Sequence, residues 1–265
     1  TFLSSVHYAF VLYINSSYLE NFIAKEKIGL LYAMASVFTI IAISNLSKVL
    51  KKYGQFKTVL SVLTIDLAAI ICLAIASSPL FPKTILFPVS DGTALVENIT
   101  RLTPWFGSIV IISFLAFQVS IIMNRILLDV YMEKFSKENE TGNNRGWFLT
   151  SMNLAIALSP FVVGKIVTNT SDDFWKVYVI SAIFLTLSLA LIARKLKSVK
   201  DASYHSPLFL QTIKKVIKDK NIFNIYISSL LLEFFYSWMV IYTPIYLYNQ
   251  IGLSWGQIGT IFSIM

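Results

Sequence analysis

Apolar residues run through this chain in blocks of about twenty, divided by shorter polar segments, and the block length is a stronger signal than any finer periodicity. At a rise of about 1.5 Å per residue, such a block matches the roughly 30 Å hydrocarbon core of a bilayer. The pattern predicts membrane helices near Phe2–Tyr18, Ile28–Leu46, Thr58–Ser77, Gly107–Tyr131, Phe148–Val167, Val177–Ile192 and Ile222–Tyr246, with an eighth opening at Ile258. Thr1 is not a start methionine and Met265 falls inside the eighth apolar segment, so both ends read as cut. The fold class this implies is an all-α integral membrane protein.

The polar segments are unequal. The longest basic one, Arg194–Asn221, divides a six-helix bundle at residues 1–193 from the start of a second bundle at 222–265. Within it Phe209, Ile213, Val216 and Ile217 recur at helical spacing while Lys214, Lys215 and Lys218 take the other faces, the pattern of an amphipathic helix on anionic lipid or of a solvated linker. The segment Ser78–Phe106 carries four prolines and either caps an entrance or covers helix ends.

The seventh span echoes the first. Tyr8, Tyr18, Leu19, Ile28 and Gly29 recur as Tyr236, Tyr246, Leu247, Ile258 and Gly259, offset by 228 residues and then by 230. Six spans separate the copies, so both cross the membrane in the same direction, as in a parallel repeat about an axis along the membrane normal.

Composition confirms the setting. With 56% apolar and 14% charged residues, a water-facing surface would lack polar cover. The net charge of +8 is unevenly placed: fifteen Lys and Arg lie in the 2–3, 4–5 and 6–7 loops against five on the opposite side. The positive-inside rule puts the richer side in the cytoplasm, and the basic charge becomes a topology signal instead of a nucleic-acid footprint. A seven-helix receptor, which needs an external amino terminus, is disfavoured on the same ground. Cys72 is the only cysteine, so no disulfide or cysteine metal motif exists, and no metal or cofactor is expected.

Ionisable groups inside a bilayer are costly and call for a reason. Glu233 stands mid-span with no cation one turn away, and can bind a cationic group or cycle a proton. His7 lies at similar depth in the first span, close to the repeat equivalent of Glu233, and Asp66 is as central and isolated in the third. Each of these also has a structural reading as a hydrogen-bonded helix bridge. Arg125 and Asp129, four residues apart, are expected to pair on one face and to serve a gate or a structural bridge. Lys165 is expected to snorkel to headgroups. Tyr8, Asn15, Asn153, Tyr236 and Tyr242 are the expected cavity lining, with Gln118 and Asn124 as further polar groups inside spans. Aromatic walls suit an apolar or cationic ligand. No Gly-x-Ser-x-Gly or His-Glu-x-x-His motif occurs and His7 has no carboxylate three or four residues away, so an enzyme is not expected.

Short motifs then bear on the kind of membrane protein. The 2–3 loop reads Asn45-Leu-Ser-Lys-Val-Leu-Lys51-Lys52-Tyr53-Gly54-Gln55-Phe56-Lys57. The next cytoplasmic loop has Tyr131-Met132-Glu133 and Arg145-Gly146, and the fifth span has Ala155, Ser159-Pro160 and Gly164. These segments, the six-span unit and the basic linker resemble the major facilitator superfamily. Gly54, Lys52 and Lys57 match its loop motif, with Lys51 in the place of an aspartate; Gly146, Ala155, Ser159 and Pro160 fill the helix-5 pattern of its antiporter branch. Tyr242-Thr-Pro244-Ile-Tyr246-Leu, with Gly252 through Gly259, is similar to its helix 7 to helix 8 segment.

The resemblance implies a monomeric secondary transporter in a cell membrane, of the bacterial inner-membrane kind, working by alternating access, with four further spans beyond the eighth. It implies gating at Gly54, Glu133 and Arg145, with Arg125 and Asp129 at the same end, and a cavity bordered by Glu233. Proton-coupled export of a cationic or amphipathic compound is the expectation. Uptake of a sugar or other metabolite stays open, as does a channel.

Overall fold

The computed structural model describes residues 2–79, 104–136, 141–167, 173–196 and 209–264. Every regular element among them is helical: α1 Phe2–Val11, α2 Asn15–Leu19, α3 Lys25–Tyr53, α4 Gln55–Ala76, α5 Pro104–Phe135, α6 Thr141–Ile166, α7 Phe174–Lys195, α8 Phe209–Lys218, α9 Lys220–Asn249 and α10 Trp255–Ile264. Six of these, α3 to α7 and α9, are long and apolar enough to cross a membrane. The proline-rich segment at 80–103 and the linker at 197–208 lie outside the described residues.

The first span departs from the continuous helix expected over Phe2–Tyr18. It breaks at Leu12–Ile14, where the Ile14 amide bonds three residues back to Val11 at 3.3 Å. Asn15, Ser16 and Ser17 follow, and such side chains compete for backbone hydrogen bonds and weaken a helix interior. The Tyr13 hydroxyl donates to the carbonyl of Pro160 in α6 at 2.9 Å, which ties the break to its neighbour.

Gly54 alone separates α3 from α4. Its φ of 79° and ψ of 162° belong to a region essentially closed to residues with a β-carbon, which accounts for a glycine in the loop motif. Its amide donates to Leu50 at 2.9 Å, and Thr58 Oγ1 donates to the Gly54 carbonyl at 2.7 Å.

Packing places α4 between α5 and α7, α1 between α6 and α7, and α3 on α5. The centre is filled by Leu63, Ile70, Phe114, Phe117, Val177 and Leu185. Apolar side chains such as Leu30, Ile40, Ile65, Ile75, Ile183 and Leu187 point outward, the inverse of a water-soluble bundle and the pattern lipid demands. Phe2, Tyr131, Trp147 and Lys195 border one open depression, so α1 begins, α5 ends, α6 begins and α7 ends together at the lysine-rich face.

Helix α9 touches this bundle at one end only. From Lys220 to Trp238 it is exposed, whereas Val240, Ile241, Pro244 and Ile245 are buried. There Ile241 and Ile245 meet Ile28, the Tyr242 hydroxyl lies against Gly29, and Asn249 donates to Glu20 at 3.1 Å. Helix α10 continues the contact along α6, where Trp255 is enclosed by Tyr13, Phe174 and Tyr248. The helix expected at Phe209–Lys218 is present as α8; Asp219 follows it and caps α9, its Oδ1 accepting from the amides of Asn221 and Ile222 at 3.0 and 3.2 Å.

Candidate functional site

Three helical faces converge on a partly open cavity of about 60 Å³. Helix α1 supplies Ser4, His7 and Tyr8; α5 supplies Ile121, Asn124, Arg125 and Leu128; α6 supplies Phe148, Met152 and Ile156. These are the three-, four- and seven-residue spacings that put side chains on one side of a helix, so each wall is a single stripe. Asn124 Nδ2 donates to Ser4 Oγ at 2.7 Å and bridges two walls. Tyr8 lies within electrostatic reach of Arg125, Glu233 and Tyr236, and Tyr236 of Glu233 and Arg125, although no α9 side chain lines the cavity itself.

Behind this wall His7 turns inward. Its Nε2 is 3.3 Å from Asp66 Oδ2, with 1% and 0% of the two side chains exposed. Its Nδ1 is 2.8 Å from Ser181 Oγ and 3.3 Å from the Ser181 carbonyl, and the Ser181 hydroxyl donates to the His7 carbonyl at 2.8 Å. Phe117 covers the ring edge-on at 5.7 Å between centroids. Asp66 is therefore not the isolated acid that its place in the chain implied: α1 and α4 are far apart in sequence, and only their packing about α7 brings the two groups together.

Two further expectations are corrected. Arg125 and Asp129 form no ion pair among the described residues. Asp129 instead lies 3.7 Å from Arg145, because the start of α6 crosses the end of α5 and delivers a second cation to the acid in an open, solvated place. Arg125, one turn deeper, lines the cavity. Asn15 is buried away from it, its Oδ1 accepting from the Tyr178 hydroxyl at 2.8 Å, a pin between α2 and α7.

Other expected residues fall in distinct places. Glu233 and Tyr236 are on the exposed part of α9, with Tyr8, not His7, as the α1 group within their reach. The repeat-related Tyr8 and Tyr236 thus share one region. Tyr242 is partly buried against α3, Asn153 is exposed on α6, and Gln118 is partly buried in α5. Glu133 is exposed at the lysine-rich face and Gly54 forms the turn described above. Lys165 lies over the Phe161 ring at 4.1 Å. Ser181 and Tyr178 are not singled out by the sequence; their only signal there is that they are two of four hydroxyls, with Thr186 and Ser188, in an otherwise apolar span.

No group of three or more histidine, cysteine, aspartate or glutamate side chains able to hold a metal occurs among the described residues. No protein family matches this chain, and no curated protein or solved structure is detectably similar to it.

Proposed function

We propose that this chain is a secondary transporter of the major-facilitator type, carrying a small solute by alternating access, with its lysine-rich face in the cytoplasm. The observation that carries this reading is the mode of attachment of α9. It joins the bundle through one end alone, while its acid and a tyrosine share a polar region with Tyr8 and Arg125 at mid-helix. Such an arrangement suits a carrier whose two bundles meet at one membrane face and part at the other, with the solute bound between them. The close contact of α6 with α10 forms the shut side.

Both signs of charge lie within electrostatic reach of Tyr8: Arg125, which lines the cavity, and Glu233 on the exposed part of α9. A purely cationic solute meets Arg125 at a cost, so the cargo we propose carries an anionic or polar group for Arg125 and a cationic or polar group for Glu233. Counterflow in proteoliposomes with labelled amphoteric, cationic and neutral solutes tests this. Saturable exchange of an amphoteric solute, reduced at least about tenfold by Arg125→Gln and by Glu233→Gln, is the expected result. Flux that does not saturate, or exchange indifferent to both substitutions, would overturn it.

A further inference from the structure

The contacts of His7 favour one arrangement of its protons. The Ser181 carbonyl can only accept, and a hydrogen on Nδ1 satisfies it while leaving the Ser181 hydroxyl free to donate to the His7 carbonyl. Nε2 is then the variable nitrogen, and it faces Asp66. With Nδ1 protonated, the number of protons held between Nε2 and the carboxyl decides the net charge. None leaves the pair at −1, one leaves it neutral, and two leave it at +1. Both groups are sealed from solvent, and beyond the 3.3 Å approach of Nε2 to Oδ2 neither Asp66 oxygen meets a donor among the described residues, so a net charge here is poorly supported. The neutral, one-proton state is the one the fold accommodates.

We propose that His7 Nε2 and Asp66 Oδ2 form a binding site for a single proton, and that this proton is the coupling ion of the carrier. The site stands on its own geometry; its coupling role rests on the transporter reading. The charged and titratable groups facing it are few. On α1 it is followed by Tyr8, and on α5 Arg125 lines the cavity that His7 also lines. Tyr178 lies one turn from Ser181 on α7 and is bonded to Asn15, while Tyr32 of α3 packs on Phe114. The α6 wall contributes only Phe148, Met152 and Ile156, and α9 brings Glu233 and Tyr236 near Tyr8.

The chain has two histidines, so His205→Gln leaves His7 as its only imidazole for nitrogen-15 NMR in lipid nanodiscs. The expected spectrum shows Nδ1 protonated at every pH and Nε2 sharing a proton with the carboxyl. Asp66→Asn, whose amide donates to Nε2, is expected to leave a plain neutral imidazole protonated at Nδ1 alone. A wild-type spectrum in which His7 mixes both tautomers and titrates like a free imidazole would overturn the site without recourse to any variant. For coupling, an imposed pH gradient is expected to drive accumulation of a transported solute at least tenfold in the wild type, and only downhill exchange in Asp66→Asn. Transport with the predicted NMR signature but no response to the gradient would refute the coupling role while leaving the transporter reading intact; no transport of any solute would refute that reading and leave the site standing.

Discussion

The backbones of Gly164 in α6 and Gly259 in α10 touch. A β-carbon on Gly164 would lie 3.2 Å from the Gly259 Cα and 2.6 Å from the Trp255 carbonyl, and one on Gly259 would strike the Pro160 carbonyl. Small residues permit such approach where lipid offers no hydrophobic drive for helix pairing. The obstacle is main chain, which cannot swing aside. Gly259→Ala is therefore expected to lower stability by about 1–3 kcal/mol, as overpacking does. Gly146→Ala, in a helix with open space around it, is expected to be neutral or to stabilise by up to about 1 kcal/mol. Thermal unfolding in detergent compares the two.

Gly54 makes a different demand. Its positive φ excludes a side chain whatever the space, so Gly54→Ala is expected to cost about 1–3 kcal/mol through backbone strain at the α3–α4 turn. The same unfolding measurement checks it, and an unchanged midpoint would mean that the turn adopts another conformation.

Tyr178 and Asn15 form a buried bond between α7 and α2. Tyr178→Phe strands the Asn15 oxygen, and is expected to cost about 1–3 kcal/mol of stability. Solute affinity is expected to be unchanged, because neither residue lines the cavity; binding titrations alongside unfolding curves separate the two effects.

At the lysine-rich face, Asp129 is expected to couple with Arg145 and not with Arg125. The Arg145 and Asp129 side chains are 60% and 43% exposed, so solvent weakens the pair to under about 1 kcal/mol. Double-mutant cycles measure this directly: a coupling of a few tenths of a kcal/mol is expected for Asp129 with Arg145, and none for Asp129 with Arg125.

How much of this was legible in the sequence depends on range. Block length and loop charge are properties of contiguous residues, so the long helices could be read directly, and the helical spacing of α8 was visible as one of two readings of the basic linker. The repeat picked out Gly29 and Gly259, both of which lie at tight interhelical contacts, and Tyr8 and Tyr236, which share one polar region. What failed was partner choice. His7, Asp66 and Ser181 come from three helices, and nothing local says that α4 brings its acid to α1. Arg125 and Asp129 had the spacing to pair, but a neighbouring helix supplied Arg145. The break at Leu12–Ile14 was hidden because its residues Leu, Tyr and Ile are apolar and continue the block.

In a carrier working by alternating access, the two ends of the α9 interface open and close in turn. Spin labels at Trp147→Cys and Ile225→Cys report the lysine-rich face, and labels at Lys27→Cys and Gln250→Cys report the other, all at exposed positions in a Cys72→Ser background. Pulsed electron–electron distance measurements on the full-length protein in nanodiscs, across pH and with a transported solute, read both pairs. Alternating access predicts two distance populations for each pair, shifting in opposite senses, so that the first pair closes as the second opens. A single distance at both faces, unmoved by pH and solute, would contradict it.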